Sequence, residues 1–410
     1  MQIILNGQLR ELPDLHENGT VADLVSLLGL KGDRVAIEHN GGIVSRTDWP
    51  KTPVHPDDKF EIVHFVGGGS GREGLFPTGF AVRTLAGLIL GFLFAAFFCN
   101  GNQTWAQSSA QPPLTGPTFT VDGIHPGQAM KIVAYGDTRF TTAINKIDTD
   151  PQARQYLVGQ IAREKPDAIF MTGDLPFNGA DAADWQVFRS ETAAWHNENL
   201  RVYPTLGNHD VRGGWDAGVA NFKATFPDLH GYLYYSVQIG NVYLITLDCT
   251  EGYGEGSQQR AWLGSQLEHL PKTANFVFFL SHMPLYVDLQ SQVAASLPTP
   301  AELSLRRYIL SLAPKVHAKL VVVNGHIHNY ERFEKDNVAY LVSGGGGAIP
   351  YRIAVRGPED KFRDRSYPNY HYLLLNFHGK TADVTMYRVA NPDTPNLSLE
   401  VKDRFTLSAP

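Results

Sequence analysis

Short apolar and β-branched runs recur through the last two thirds of the chain, at 131–135, 168–172, 202–206, 276–280 and 319–323. Each is four to six residues long and bounded by small or polar residues, which is the pattern of a buried strand. Between them lie stretches with helical spacing. Residues 150–165 place Leu157, Val158 and Ile161 among charges, with Pro151 where a helix would begin. Residues 258–270 and 302–312 read the same way. The runs 232–239 and 242–248, separated by Gly240-Asn241, predict a hairpin. Strands alternating with helices favour an α/β sheet over an all-β fold. Trp185, Trp195 and Trp262 fall on these elements and are expected to be packing residues.

The chemistry is concentrated immediately after the five strands. In order, the chain reads Gly136-Asp137-Thr138-Arg139, Gly173-Asp174, Gly207-Asn208-His209-Asp210, Ser281-His282 and Gly325-His326-Ile327-His328. Carboxylates, an amide and three imidazoles are thus delivered to one edge of a sheet, where α/β folds bind ligands. A mixed oxygen and nitrogen set suits two divalent ions such as Mn, Zn or Fe better than a thiolate site would. A single Gly-Asp dipeptide means little; five such groups in this order are a strong signal.

The five groups resemble the motifs of the calcineurin-like metallophosphoesterase superfamily. The string Gly325-His326-Ile327-His328-Asn329-Tyr330-Glu331-Arg332 is similar to its purple acid phosphatase branch. The resemblance covers about 130–390 and implies a four-layer αββα sandwich with a dinuclear centre. Carried over by motif, Asp137 and His328 bind one metal, Asn208, His282 and His326 bind the other, and Asp174 bridges them. His209 and Asp210 take the place of an outer pair facing the substrate. Two positions depart from the family. Arg139 stands where many members have a ligating His, and guanidinium has no lone pair to offer a metal. Phe177 stands where purple acid phosphatases have a Tyr, so the tyrosinate–iron bond that colours those enzymes is not expected.

The chemistry implied is phosphoester hydrolysis. Two cations neutralise an anionic ester, and a metal-bound water supplies hydroxide near neutral pH. His209 is expected to bond a phosphoryl oxygen or protonate the leaving alkoxide, with Asp210 fixing its tautomer. Arg139 is expected either to grip a substrate oxygen, its planar fork matching phosphate, or to form a salt bridge at the rim. Ser343 and glycines 344–347 form either a backbone nest for phosphate or a tight turn. Tyr330, Glu331 and Arg332 are candidates for orienting the histidines. Loops 211–226 and 286–300 would choose the substrate, whose identity has no readable code here.

The opening 69 residues are a separate unit. A strand-like start at 1–5, a helical stretch at 21–30 and the end Val66-Gly67-Gly68-Gly69 resemble the thiamine-pathway sulfur carrier, a ubiquitin-like β-grasp protein. That resemblance implies a partner, the activating enzyme that adenylates the terminal carboxylate behind Gly68 or Gly69. Here Ser70 comes next in peptide linkage, so carrier chemistry requires a cut or an earlier stop. Residues 70–129 then read as a connecting region. Arg72 and Arg83 precede the apolar run 85–98, and Ala106 precedes a polar, Pro-rich spacer. Basic, apolar and small residues in that order predict a secretory signal peptide. A short membrane anchor is the second reading and a buried helix the third. Residues 130–395 form the expected phosphoesterase domain and 396–410 a C-terminal tail. On this division the phosphoesterase is periplasmic, extracellular or membrane-anchored, and the carrier-like unit is cytoplasmic. A true fusion and two adjacent genes read as one both remain open.

Composition narrows the alternatives. A net charge of −6 without a long basic run provides no footprint for nucleic acid. The only cysteines are Cys99 and Cys249, which leaves no thiolate cluster. Two other classes stay in play: a sulfur carrier with an incidental extension, and an inactive phosphoesterase fold used for binding.

Overall fold

The computed structural model describes residues 1–64 and 111–410, except 6–7, 13–14, 17–18, 29–34, 40–41, 45–47, 57, 143–147, 289–297 and 354–355. The chain divides into two units, Met1–Gln103 and Thr104–Pro410. The Gly68–Gly69 tail and the apolar run 85–98 lie outside the described residues.

In the smaller unit, β1 (Gln2–Leu5) and β2 (Gln8–Glu11) form an antiparallel pair succeeded by α1 (Val21–Leu27). Then come β3 (Val35–His39), β4 (Gly42–Val44) and β5 (Lys59–His64). The sheet order is β2-β1-β5-β3-β4, with β1 and β5 parallel at the centre. Helix α1 starts at a capping box, in which Thr20 and Asp23 satisfy each other's backbone N–H groups. Its apolar face, Val21, Leu24 and Val25, closes over Ile3, Ile37 and Phe60. This is the expected β-grasp arrangement.

The larger unit opens with β6 (Phe119–Thr120), β7 (Met130–Tyr135), α2 (Pro151–Glu164) and β8 (Ala168–Met171). Helices α3 (Ala182–Glu191) and α4 (Ala193–Asn197), β9 (Val202–Pro204) and α5 (Trp215–Thr225) come next. The chain continues through β10 (Tyr235–Ile239), β11 (Val242–Thr246), α6 (Gln258–Glu268), β12 (Phe276–Ser281) and α7 (Pro300–Leu312). It ends with β13 (Lys319–Asn324), β14 (Tyr330–Lys335), β15 (Val338–Ser343), β16 (His371–His378), β17 (Thr381–Val389) and β18 (Leu399–Ser408). Two sheets result, ordered β14-β15-β13-β12-β11-β10-β6 and β18-β17-β16-β7-β8-β9.

Period-two alternation sorts the side chains between layers. On β12, Phe276, Phe278 and Leu280 enter the core between the sheets, while Val277 and Phe279 face the other way, towards Trp262, Leu305 and Ile309 of α6 and α7. Phe278 contacts Phe170 and Phe377 of the opposite sheet at 5.9 and 6.0 Å between ring centres. On the outer side of the second sheet, Leu157, Ile161 and Trp195 of α2 and α4 complete the αββα sandwich. Both faces of β12 and β13 are buried, which is why their sequences are continuously apolar rather than alternating.

Helix α2 begins as its sequence indicates, with Pro151 in the first turn and the Asp150 carboxylate accepting from the Gln152 and Ala153 N–H groups. The hairpin forms at Gly240-Asn241, where Gly240 takes a φ of 54°. Two expectations need correction. Residues 396–410 are not a tail, because β18 pairs along β17 and forms the sheet edge. The Pro-rich spacer, where described, is no free linker: the Pro113 carbonyl accepts from Trp262 Nε1 and Gln266 Nε2, and β6 pairs with β10.

His371, the first residue of β16, is fully buried and neutral. Its Nδ1 donates to the Asn369 carbonyl, and Ser343 Oγ lies 3.2 Å from Nε2. Burial lowers its pKa to about 4. Between the unfolded value near 6.5 and 4 the unfolded chain binds the extra proton, so stability falls as pH falls through that window, by at most about 3 kcal/mol from this residue. Urea midpoints at about pH 7 and pH 4.5 should therefore differ less in His371→Gln than in the parent protein. Equal drops in both would clear His371 of the effect.

Candidate metal centre

The carboxyl ends of β7, β8 and β9 meet those of β12 and β13 at one edge of the sandwich, and each motif lies in the loop after its strand. The backbone there is unusual. Asp137, Arg139, Asp174 and His326 all have φ between 46° and 67°. Left-handed residues without glycine cost free energy and concentrate at functional sites. Here they turn the chain sharply enough to aim two carboxylates inward. The glycines of the motifs serve close approach: a Cβ on Gly207 would sit 2.4 Å from Asp174 Oδ1, and one on Gly325 would sit 2.4 Å from Asp137 Oδ2.

The donors form two groups that share Asp174. In the first, Asn208 Oδ1 lies 3.0 Å from His282 Nε2 and 3.2 Å from His326 Nδ1, and the two imidazole nitrogens are 3.2 Å apart. Asp174 Oδ1 is 3.3 Å from the same His282 Nε2. In the second, His328 Nε2 faces Asp137 Oδ1 at 3.6 Å. Asp137, Asp174 and His282 are completely buried and converge closely enough to hold a cation. The His328 Nε2 atom is buried without a hydrogen-bond partner, as a ligand atom awaiting a metal would be.

Electrostatics support ligation. Burial, with Asp174 adding to it, pushes Asp137 well above the usual carboxylate range. Burial opposes ionisation of Asp174 too, but His282, His209 and Arg139 outweigh it and hold that carboxyl low. Burial keeps His282 and His328 neutral, with their lone pairs available. Two buried carboxylates facing neutral imidazoles are a poor arrangement without a cation and a good one with it.

The imidazoles are oriented by the backbone. His282 Nδ1 donates to the Thr172 carbonyl at 2.8 Å, His328 Nδ1 to the Ile349 carbonyl at 2.9 Å, and His209 Nδ1 to the Phe177 carbonyl at 2.7 Å. The Tyr351 ring stacks on His328 at 4.2 Å. None of these partners is visible in the sequence, since any residue supplies a carbonyl.

Two expected roles change. Asp210 does not fix the His209 tautomer; its carboxylate accepts from the Gly207, Asp174 and Leu175 N–H groups, tying two motif loops together. Tyr330 and Arg332 bond Asp403 of β18 rather than the histidines, and Glu331 accepts from the Asp288 N–H. The glycines after Ser343 are a close-packed turn rather than an open nest, because the Gly344 and Gly346 N–H groups already bond carbonyls of Asn329 and Gly136. Arg139, by contrast, lies in the site. Its Nη2 is 3.4 Å from Asp174 Oδ2, and its Nε is buried without a partner.

Residues 130–330 match the family model of calcineurin-like phosphoesterases, and residues 3–69 match that of the ThiS family. The larger unit is similar to the calcineurin-like phosphoesterases over residues 130–330. Purple acid phosphatase 1 of Ipomoea batatas is 27% identical to it over 197 residues, 43% of this chain and 39% of that protein. A solved purple acid phosphatase from yellow lupin (Lupinus luteus) seeds shares the fold at a TM-score of 0.55 and 18% identity, covering 69% of this chain and 55% of the other. For the smaller unit, a thiazole synthase of Magnetococcus marinus is 40% identical over 70 residues, 17% of this chain and 20% of that protein. The chain thus spans well under two thirds of either curated relative's length. The larger unit carries all six donors expected from its motifs at one strand edge.

Proposed function

We propose that the larger unit hydrolyses phosphoesters at a centre of two divalent ions. The observation that carries this reading is the pair of donor groups joined at Asp174, one built from Asn208, His282 and His326 and the other from Asp137 and His328. The unpartnered His328 nitrogen and the oxygen–nitrogen donor set fit Mn, Zn or Fe. Such ions would neutralise the ester and make water nucleophilic near neutral pH.

The chain's own groups act around that chemistry. Arg139 offers its guanidinium edge to a phosphoryl oxygen, close to Asp174. His209 donates through Nδ1 to Phe177, so its neutral form presents a lone pair at Nε2. Burial lowers its pKa to about 4, so His209 is neutral near pH 7 and would take the proton that the attacking water gives up before passing it to the leaving alkoxide. Asp210 ties the loop that presents His209 to the loop of Asp174. A purely recognitional role is disfavoured by the retained His209–Asp210 pair beside the six donors, although Arg139 and Phe177 stand where relatives of this kind have further ligands.

The ThiS-family unit supports a second, separate activity: sulfur carriage once a carboxylate is freed behind Gly68 or Gly69, with an activating enzyme as partner. For location we propose export or membrane anchoring of the phosphoesterase, supported by the basic–apolar–small order at 72–106. Among the described residues, no helix is long and apolar enough to cross a membrane.

The test uses the full chain with p-nitrophenyl phosphate and its bis ester, loaded with Mn, Zn or Fe and compared with a chelator-treated sample. Metal-dependent release of nitrophenol supports the reading, and the ester preference separates monoesterase from diesterase. Two bound metals without turnover on either ester would refute it.

A further inference from the structure

We propose that this phosphoesterase site takes esters whose leaving group carries a second negative charge, held by Arg212. The inference rests on the phosphoester reading and names the substrate class of that site.

Arg212 stands beside the proton-transfer residue. Its guanidinium carbon lies 4.4 Å from the centre of the Phe177 ring, whose other neighbour is the His209 imidazole at 5.5 Å. One phenyl ring therefore separates the guanidinium from the group expected to serve the leaving oxygen. The backbone fixes this arrangement: the Arg212 N–H donates to the His209 carbonyl, the Ala180 N–H to the Arg212 carbonyl, and His209 Nδ1 to the Phe177 carbonyl.

The cation has no acidic counterpart. Among the described residues Arg212 forms no ion pair, although it is half-buried. The other half-buried arginines among the described residues each have one: Arg139 pairs with Asp174, Arg260 with Glu255, Arg306 with Asp336, Arg332 with Asp403 and Arg356 with Asp360. A guanidinium flat on an aromatic face keeps its edge donors free and loses little entropy when they bind, so it is prepared for a carboxylate or phosphate fork. Phe177 explains why the shelf exists here. A ring without a hydroxyl cannot be claimed by a metal, and its face is left to carry a cation.

The position predicts where the second charge sits. The phosphoryl group lies over the donor edge and His209 faces the ester oxygen, so Arg212 meets the leaving group one ring beyond it. Carboxylate and phosphate share this chemistry.

Three probes separate the possibilities: phenyl phosphate, p-carboxyphenyl phosphate and p-phenylene bisphosphate. Their binding to metal-loaded full chain is measured by titration calorimetry, which needs no turnover. A charge-assisted bond of the usual strength makes one or both of the compounds with an anionic tail bind about 10-fold or more tightly than phenyl phosphate. The better of the two identifies the anion. Arg212→Gln should erase that advantage, and Arg212→Lys should keep part of it. Equal affinities in the parent protein, or an advantage that survives Arg212→Gln, would overturn the assignment. If none of the three binds, the phosphoester reading itself falls and takes this inference with it.

Discussion

His282→Ala should lower metal-dependent turnover by on the order of a thousandfold and reduce the metal content from two ions per chain to one. The reason lies in its position. His282 Nε2 is within 3.3 Å of Asn208 Oδ1, His326 Nδ1 and Asp174 Oδ1, and so it touches every other donor of its group. Removing it leaves Asn208, His326 and Asp174 to hold the ion that this group would bind, and opens a buried gap against the Thr172 carbonyl. Metal content by atomic emission separates loss of the ion from loss of the fold, which circular dichroism reports. Full turnover with both ions retained would remove His282 from the centre.

The second large effect is expected away from any ligand. Gly207→Ala places a Cβ 2.4 Å from Asp174 Oδ1, 2.6 Å from the Asp174 nitrogen and 2.9 Å from His282 Cγ. None of these atoms is the free end of a flexible side chain, so the loops themselves must move. A stability loss of about 1–3 kcal/mol is expected from the overpacking, and metal affinity should fall about 10-fold to 100-fold as the ligands leave their positions. Gly159→Ala on α2 is the control, because its Cβ meets nothing within 4 Å and a helical glycine replaced by alanine gains about 0.5–1 kcal/mol. If Gly207→Ala melts and binds metal like the parent, the crowding at that loop is not as tight as the distances require.

These two sites mark the boundary of what the sequence discloses. His282 is legible because strands announce themselves by apolar runs, and a polar group at a strand end stands out against them. The same contrast locates Asp137, Asp174, Asn208, His326 and His328, and the structure gathers all of them. For Asp210 the sequence points to the wrong partner: adjacency in the motif suggests a bond to His209, whereas its carboxylate is consumed by three backbone N–H groups. Tyr351 gives no sign of itself, since a lone tyrosine in an irregular loop carries no periodicity to say that it will stack on His328. The last strand is a different case. Leu399, Val401, Phe405 and Leu407 alternate with polar residues, a usable signal, but a bulge that leaves Lys402 unpaired between Val401 and Asp403, opposite Met386/Tyr387, breaks the simple period. The Pro-rich spacer looks like a linker because its bonds to α6 run through its own carbonyls, which composition does not reveal.

That three imidazoles are held by main-chain carbonyls also bears on how such a site can change over generations. A carboxylate that orients a histidine can be lost by one codon change; the carbonyls of Thr172, Ile349 and Phe177 cannot. The bond to each histidine is therefore indifferent to which side chain stands at those positions. A lineage built this way can exchange the tyrosine for phenylalanine at 177 and place an arginine at 139 while its histidines continue to point the same way. Neighbouring positions become easy to alter while the histidines keep their aim, a combination that lets one scaffold diversify without first ceasing to work.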